Sequence, residues 1–132
     1  MKVLIDLISE ITLADGDKDV ITHQGSAMLT TNGTFTRLSF PLSGVMQTLI
    51  YDQSQPDCLE LQRSGDRLVF DLHNETEGRY KTEYILLFPQ IKTHQLSFSP
   101  NDGNGFVHLD YTLSLEGEIQ HFNMKIEVKK AQ

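Results

Sequence analysis

The chain has 132 residues, 11 basic and 18 acidic side chains, a net charge of −7, one Cys and no Trp. That length fits one domain spanning residues 1–132 and allows a core without metal or disulfide staples. The acidic balance argues against nucleic acid as a partner, the lone Cys58 against a disulfide scaffold, and the lack of a long apolar run against a membrane partner.

Periodicity of two runs through the sequence. From Met1 to Leu13 the odd positions read Met, Val, Ile, Leu, Ser, Ile, Leu. Alternate side chains of a strand share a face, so this segment predicts a strand with one apolar side. Asp6 and Glu10 interrupt the apolar stretch, which is unlike a signal peptide. Ala14 to Asp17 is a turn. A second strand is expected over Asp19 to Leu29, with a bulge or bend at Gly25. Asn32-Gly33 then predicts a tight hairpin of type I′. Thr34 to Phe40 is the return strand, Pro41 and Gly44 bound a turn, and Val45 to Tyr51 is the next strand.

Cys58 to Gln62 and Arg67 to Leu72 flank the turn Arg63-Ser64-Gly65-Asp66. Arg79 to Phe88 alternates, which predicts one strand with Tyr80, Thr82, Tyr84, Leu86 and Phe88 facing inward. Ile91 to Phe98 follows, with His94 sharing the parity of Leu96 and Phe98. Ser99 to Gly105 is rich in breakers. Phe106 to Leu115 sets Val107, Leu109, Tyr111, Leu113 and Leu115 against polar partners. Glu116-Gly117 turns the chain into a last strand, Ile119 to Lys129.

These segments amount to an all-β chain of about 8–10 strands with little or no helix. Short turns pair sequential strands as an antiparallel meander. A meander with one apolar face hides that face and its edges by curling shut. The expected fold is a closed up-and-down β-barrel.

The Arg63-Ser64-Gly65 hairpin, Tyr80-Lys81-Thr82, Lys92-Thr93, Tyr111 and the closing Phe122-Asn123-Met124-x-Ile126 together resemble the YwiB-like proteins. These are small bacterial β-barrels of calycin-like (lipocalin-like) fold with no established function. The resemblance covers essentially the whole chain and implies a fold, not a reaction. The absence of Trp sets the chain apart from secreted lipocalins, which carry Gly-x-Trp near the first strand.

Chemistry-bearing residues are sparse. His23, His73, His94, His108 and His121 show no metal-ligand spacing with one another or with Cys58. Asp15-x-Asp17-x-Asp19 lacks the Gly and terminal Glu of a calcium loop. No Gly-x-Ser-x-Gly elbow is present, and Cys58 has no nucleophile context. An enzyme is therefore not expected, and neither a metal nor a cofactor.

Inward polar residues remain. Arg63 shares the parity of Leu59 and Leu61, so it points inward at a strand end. There it either caps the barrel end by packing on aromatics and bonding backbone carbonyls, or offers its planar fork to a carboxylate or phosphate. With Tyr80, Tyr84, His94 and Tyr111 it forms the expected polar lining of a barrel interior. Two readings follow for a cytoplasmic protein: a barrel binding a small amphipathic or acidic ligand inside, or a filled barrel acting through its surface. The sequence leaves the oligomeric state open.

Overall fold

A computed structural model describes residues 1–131. The chain forms β1 (Lys2–Thr12), β2 (Lys18–Asn32), β3 (Phe35–Leu42), β4 (Val45–Asp52), β5 (Cys58–Arg63), β6 (Asp66–Asp71), β7 (Thr76–Glu77), β8 (Tyr80–Lys81), β9 (Leu86–Leu87), β10 (Gln90–Phe98), β11 (Gly105–Leu115) and β12 (Glu118–Lys130). Ten of them make one antiparallel sheet in the order β6-β5-β4-β3-β2-β1-β12-β11-β10-β7, and β8 and β9 form a separate hairpin. The sheet curls until its two ends meet, which gives the expected all-β barrel, nearly closed.

Turn chemistry sets the register. Ser43-Gly44, Ser64-Gly65 and Glu116-Gly117 each place two residues at positive φ between paired strands. That is the type I′ pattern, whose twist matches the strands it joins. Asn32-Gly33 behaves differently. Asn32 pairs with Phe35, so the loop is Gly33-Thr34, and only Gly33 has positive φ. Glycine alone at the first central position is the type II′ pattern. Gly25 also departs from expectation, since β2 stays in register with β1 through the Ile5–Gly25 pair. Pro41 lies inside β3 rather than in a turn. It is tolerated because β2 pairing ends at Ser39, so no neighbour needs an N–H from Pro41.

The apolar faces converge as their alternation predicts. Val3, Ile5 and Leu7 of β1 are buried, whereas Leu4 and Ile8 are exposed. A row of directly paired leucines, Leu29, Leu38, Leu49, Leu61 and Leu68, crosses five strands. Val107, Leu109, Ile126 and Val128 come from the opposite wall, and Phe70 lies between. Each fully buried side chain of this size contributes roughly 1.5–3 kcal/mol of burial.

The closure is local and specific. Thr76 and Glu77 of β7 pair with Ile91 and Gln90 of β10. Two residues later Arg79 exchanges both backbone hydrogen bonds with Arg67 of β6, at 2.8 and 2.9 Å. The Thr76 hydroxyl also donates to the Val69 carbonyl. Residues 76–79 thus stitch the two ends of the sheet together, with Gly78 at the crossing.

Two expectations need correction here. The predicted strand Arg79–Phe88 is a seam crossing followed by a hairpin. The Thr82 hydroxyl donates to the Ile85 carbonyl at 2.9 Å and accepts the Ile85 N–H at 3.0 Å, folding Thr82 to Ile85 into a turn. Tyr84 sits at its tip and is 86% exposed, not inside the barrel. The second correction is His94. Thr93 pairs with Tyr111 and Gln95 with Asp110, so His94 is the extra residue of a β-bulge. A bulge resets the parity of everything after it. Ile91 and Thr93 are buried and Leu96 and Phe98 half-buried, while His94 points out to solvent.

Candidate functional site

In an up-and-down meander alternate turns share an end. The turns Ser43-Gly44, Ser64-Gly65 and Glu116-Gly117 and the β8–β9 hairpin lie at one end of the barrel. The Gly33-Thr34 turn and the 99–104 loop lie at the other, where Gly103 is buried against Met1 and Lys130. The inward polar residues concentrate at the first end.

Arg63 is the last residue of β5 and keeps the inward parity of Leu59 and Leu61. Its Nη2 donates to the Tyr80 hydroxyl at 2.7 Å, and its guanidinium carbon lies 5.2 Å from the Tyr80 ring centroid. A cation–π contact and a charge-assisted hydrogen bond, both with Tyr80, therefore hold the side chain. Its Nε lies 3.4 Å from an Asp66 carboxylate oxygen. Arg63 is only half-buried, so the guanidinium reaches both the interior and solvent.

Tyr111 lies beneath this pair and is 7% exposed. Its ring stacks on Phe122 at 4.8 Å and packs tilted against Phe70 at 4.6 Å. Burial pushes its phenol far above the ordinary range; Tyr80 adds to the shift and Arg63 opposes it. Tyr111 is therefore neutral at all ordinary pH values.

The same end holds buried polar atoms that the strand pattern left unmarked. Gln47 faces inward beside Arg63, and its side-chain amide donates to the Val45 carbonyl at 3.3 Å. His23 Nε2 and the Thr93 hydroxyl are buried with no hydrogen-bond partner. Thr93 is the cross-strand neighbour of Tyr111, and the His23 ring lies 6.4 Å from that of Phe40. Unpartnered buried polar groups are costly, roughly 1–3 kcal/mol each, and each calls for an explanation.

Of the five expected lining residues the structure brings three together: Arg63, Tyr80 and Tyr111. Tyr84 lies outside on the hairpin, and His94 lies on the outer surface of β10. There His94 Nε2 is 3.4 Å from the Thr112 hydroxyl, and its ring is 6.2 Å from that of His121, which pairs with Asp110 at 2.7 Å. Among the described residues no cluster of three or more His, Cys, Asp or Glu is placed to hold a metal ion. Gln47, His23 and Thr93 were missed because nothing distinguishes an inward polar residue in an amphipathic strand from an edge residue. The available signal was parity with apolar neighbours, Gln47 with Leu49, Thr93 with Ile91 and His23 with Ala27 and Leu29.

Outside the barrel the same corner carries two concavities. One, about 390 Å³, is lined by the Ser64-Gly65 turn and by Arg63, Arg67 and Arg79. The chain has only four arginines, so three of them meet here. The second, about 490 Å³, shares Gly65 and Arg79 with the first and runs along Lys81, Tyr84, Ile85 and Leu86.

No curated protein gives a significant match. A solved structure, the ywiB protein from Bacillus subtilis, is similar with a TM-score of 0.78 at 16% identity, over 98% of this chain and 92% of that one. At that identity the likeness concerns the fold, and it bears out the barrel and the YwiB-like resemblance. A family model described as "Domain of unknown function (DUF1934)" matches residues 5–127, so the chain belongs to that family.

Proposed function

We propose that this barrel is a binding module for a small acidic, amphipathic molecule, held at the Arg63 end rather than deep inside. The observation that carries the reading is the half-buried guanidinium of Arg63, clamped by Tyr80 in an otherwise acidic chain. Asp66 meets only its Nε, at 3.4 Å, so a cation fixed in this way, with one edge still solvent-accessible, is preorganised for a carboxylate or phosphate. Phe70, Leu68, Leu61 and Tyr111 belong to the buried core on the inner side of Arg63, which supports a ligand at the mouth.

A filled barrel acting through its surface is the second reading, favoured by the exposed apolar side chains of the β8–β9 hairpin.

Native mass spectrometry of the protein isolated from its own host separates the two. The binding reading expects a co-purifying small acid, lost from Arg63→Gln while the variant stays folded. A ligand-free wild type that also ignores added small acids in titration would sink it.

A further inference from the structure

Resting on the small-acid reading, we infer that the ligand is a single-chain amphiphile with a dianionic, phosphate-type head. The head sits by the Ser64-Gly65 turn, and the tail lies outside the barrel along the β8–β9 hairpin.

The charges at this corner define the head. Arg63 and Arg67 are each held by a carboxylate, Asp66 at 3.4 Å and Glu60 at 2.7 Å. Arg79 and Lys81 are not; among the described residues neither has a carboxylate within 4.0 Å. Arg79 uses its Nε on the Gly65 carbonyl at 3.2 Å, which fixes the guanidinium and leaves both terminal nitrogens to donate. Lys81 is anchored through its backbone N–H on Asp66 at 2.7 Å, and its side chain runs past Gly65. Two cations with no carboxylate in contact, both set against Gly65 although Asp66 and Glu83 also line the concavities, match a doubly charged head. A phosphate monoester carries about that charge at neutral pH and offers three acceptor oxygens to the arginine fork.

The apolar wall defines the tail. Tyr84, Ile85 and Leu86 are 86%, 56% and 46% exposed and line the second concavity, which meets the first at Gly65 and Arg79. One carboxylate, Glu83, lines this second concavity too. Volumes of about 390 and 490 Å³ are those of small-molecule sites. The arrangement also accounts for apolar side chains that none of the described residues covers.

A free amphiphile is favoured over a bilayer lipid. Four of the chain's eleven basic residues line the two concavities, yet the whole carries −7. That net charge repels an anionic membrane surface, where attraction grows with each nearby Lys or Arg. A single molecule feels chiefly the local cations.

Calorimetric titration of the full chain with octyl phosphate and with inorganic phosphate tests this. Octyl phosphate is expected to bind one per chain, about tenfold or more tighter than inorganic phosphate, since burying two methylenes suffices for that. Arg79→Gln weakens both probes. Tyr84→Ser weakens only octyl phosphate and leaves the melting temperature unchanged, its side chain being solvent-exposed. If inorganic phosphate binds through Arg63 but the octyl chain adds nothing, or Tyr84→Ser has no effect, the tail assignment is wrong and the small-acid reading stands. If neither probe binds, both fall. Tyr84-dependent co-sedimentation with phosphatidylglycerol vesicles, without binding of free octyl phosphate, overturns the choice of a free molecule.

Discussion

Tyr111 and His94 lie near one another in sequence parity but have opposite fates. Tyr111 is wedged between Phe70 and Phe122, so Tyr111→Ala opens a cavity in the aromatic end of the core. The expected loss is about 3–5 kcal/mol in denaturant unfolding. His94→Ala removes a ring that faces water at the bulge, and the expected change is within about 0.5 kcal/mol. Comparable losses for the two variants would mean that the bulge is misplaced and His94 is interior after all. Among the exposed histidines, His73 has a defined partner, with its Nε2 2.7 Å from the Asp57 carboxylate. That hydrogen bond, then the Asp57 charge, raises its pKa above that of a free histidine. The stabilisation is therefore complete below the unfolded pKa and lost as pH rises through the folded pKa. In Asp57→Asn the NMR titration of His73 should shift down toward its free value, and an unmoved titration curve would contradict the pair.

At the scale of elements, the seam of residues 76–79 is the least conventional part of the fold. A Cβ on Gly78 would lie 2.7 Å from Leu68 Cδ2 and 3.1 Å from Ile91 Cδ1, so the crossing strand needs a residue without a side chain. Gly78→Ala is expected to cost about 1–3 kcal/mol through overpacking. It should also speed hydrogen exchange at the Arg67 and Arg79 amides before those of β3. Unchanged exchange at those two amides would show that the seam is not a separate weak point. Long strands were legible because their alternation is set by one buried face over many residues. The period also read through the turn at Thr82 to Ile85, since Arg79 to Phe88 alternates just as a strand does. What breaks that strand is the Thr82 hydroxyl bonding to Ile85, a local competitor that periodicity does not register. The bulge at His94 was hidden for a related reason: one extra residue leaves apolar positions on both sides of it.

For the molecule as a whole, closure follows from the meander, and it was legible without any single decisive residue. Each strand presents one apolar face, each turn is short, and an open sheet would leave that face in water. The site was legible only where it obeyed the same parity. Arg63, Tyr80 and Tyr111 were found because they fall on inward positions of regular strands. The neighbouring outer concavity was not, because Arg67, Arg79 and Lys81 point away from the core and meet only through the seam. Fold alone assigns no activity. The functional account rests on the concentration of fixed cations at one end of an acidic barrel.

That account is tested most directly by mapping octyl phosphate onto the isotopically labelled protein with amide NMR. Saturating shifts confined to Arg63, Ser64, Gly65, Arg79 and the β8–β9 hairpin are expected. Shifts centred on the 99–104 loop, or none at concentrations that saturate ordinary small-acid sites, would contradict it.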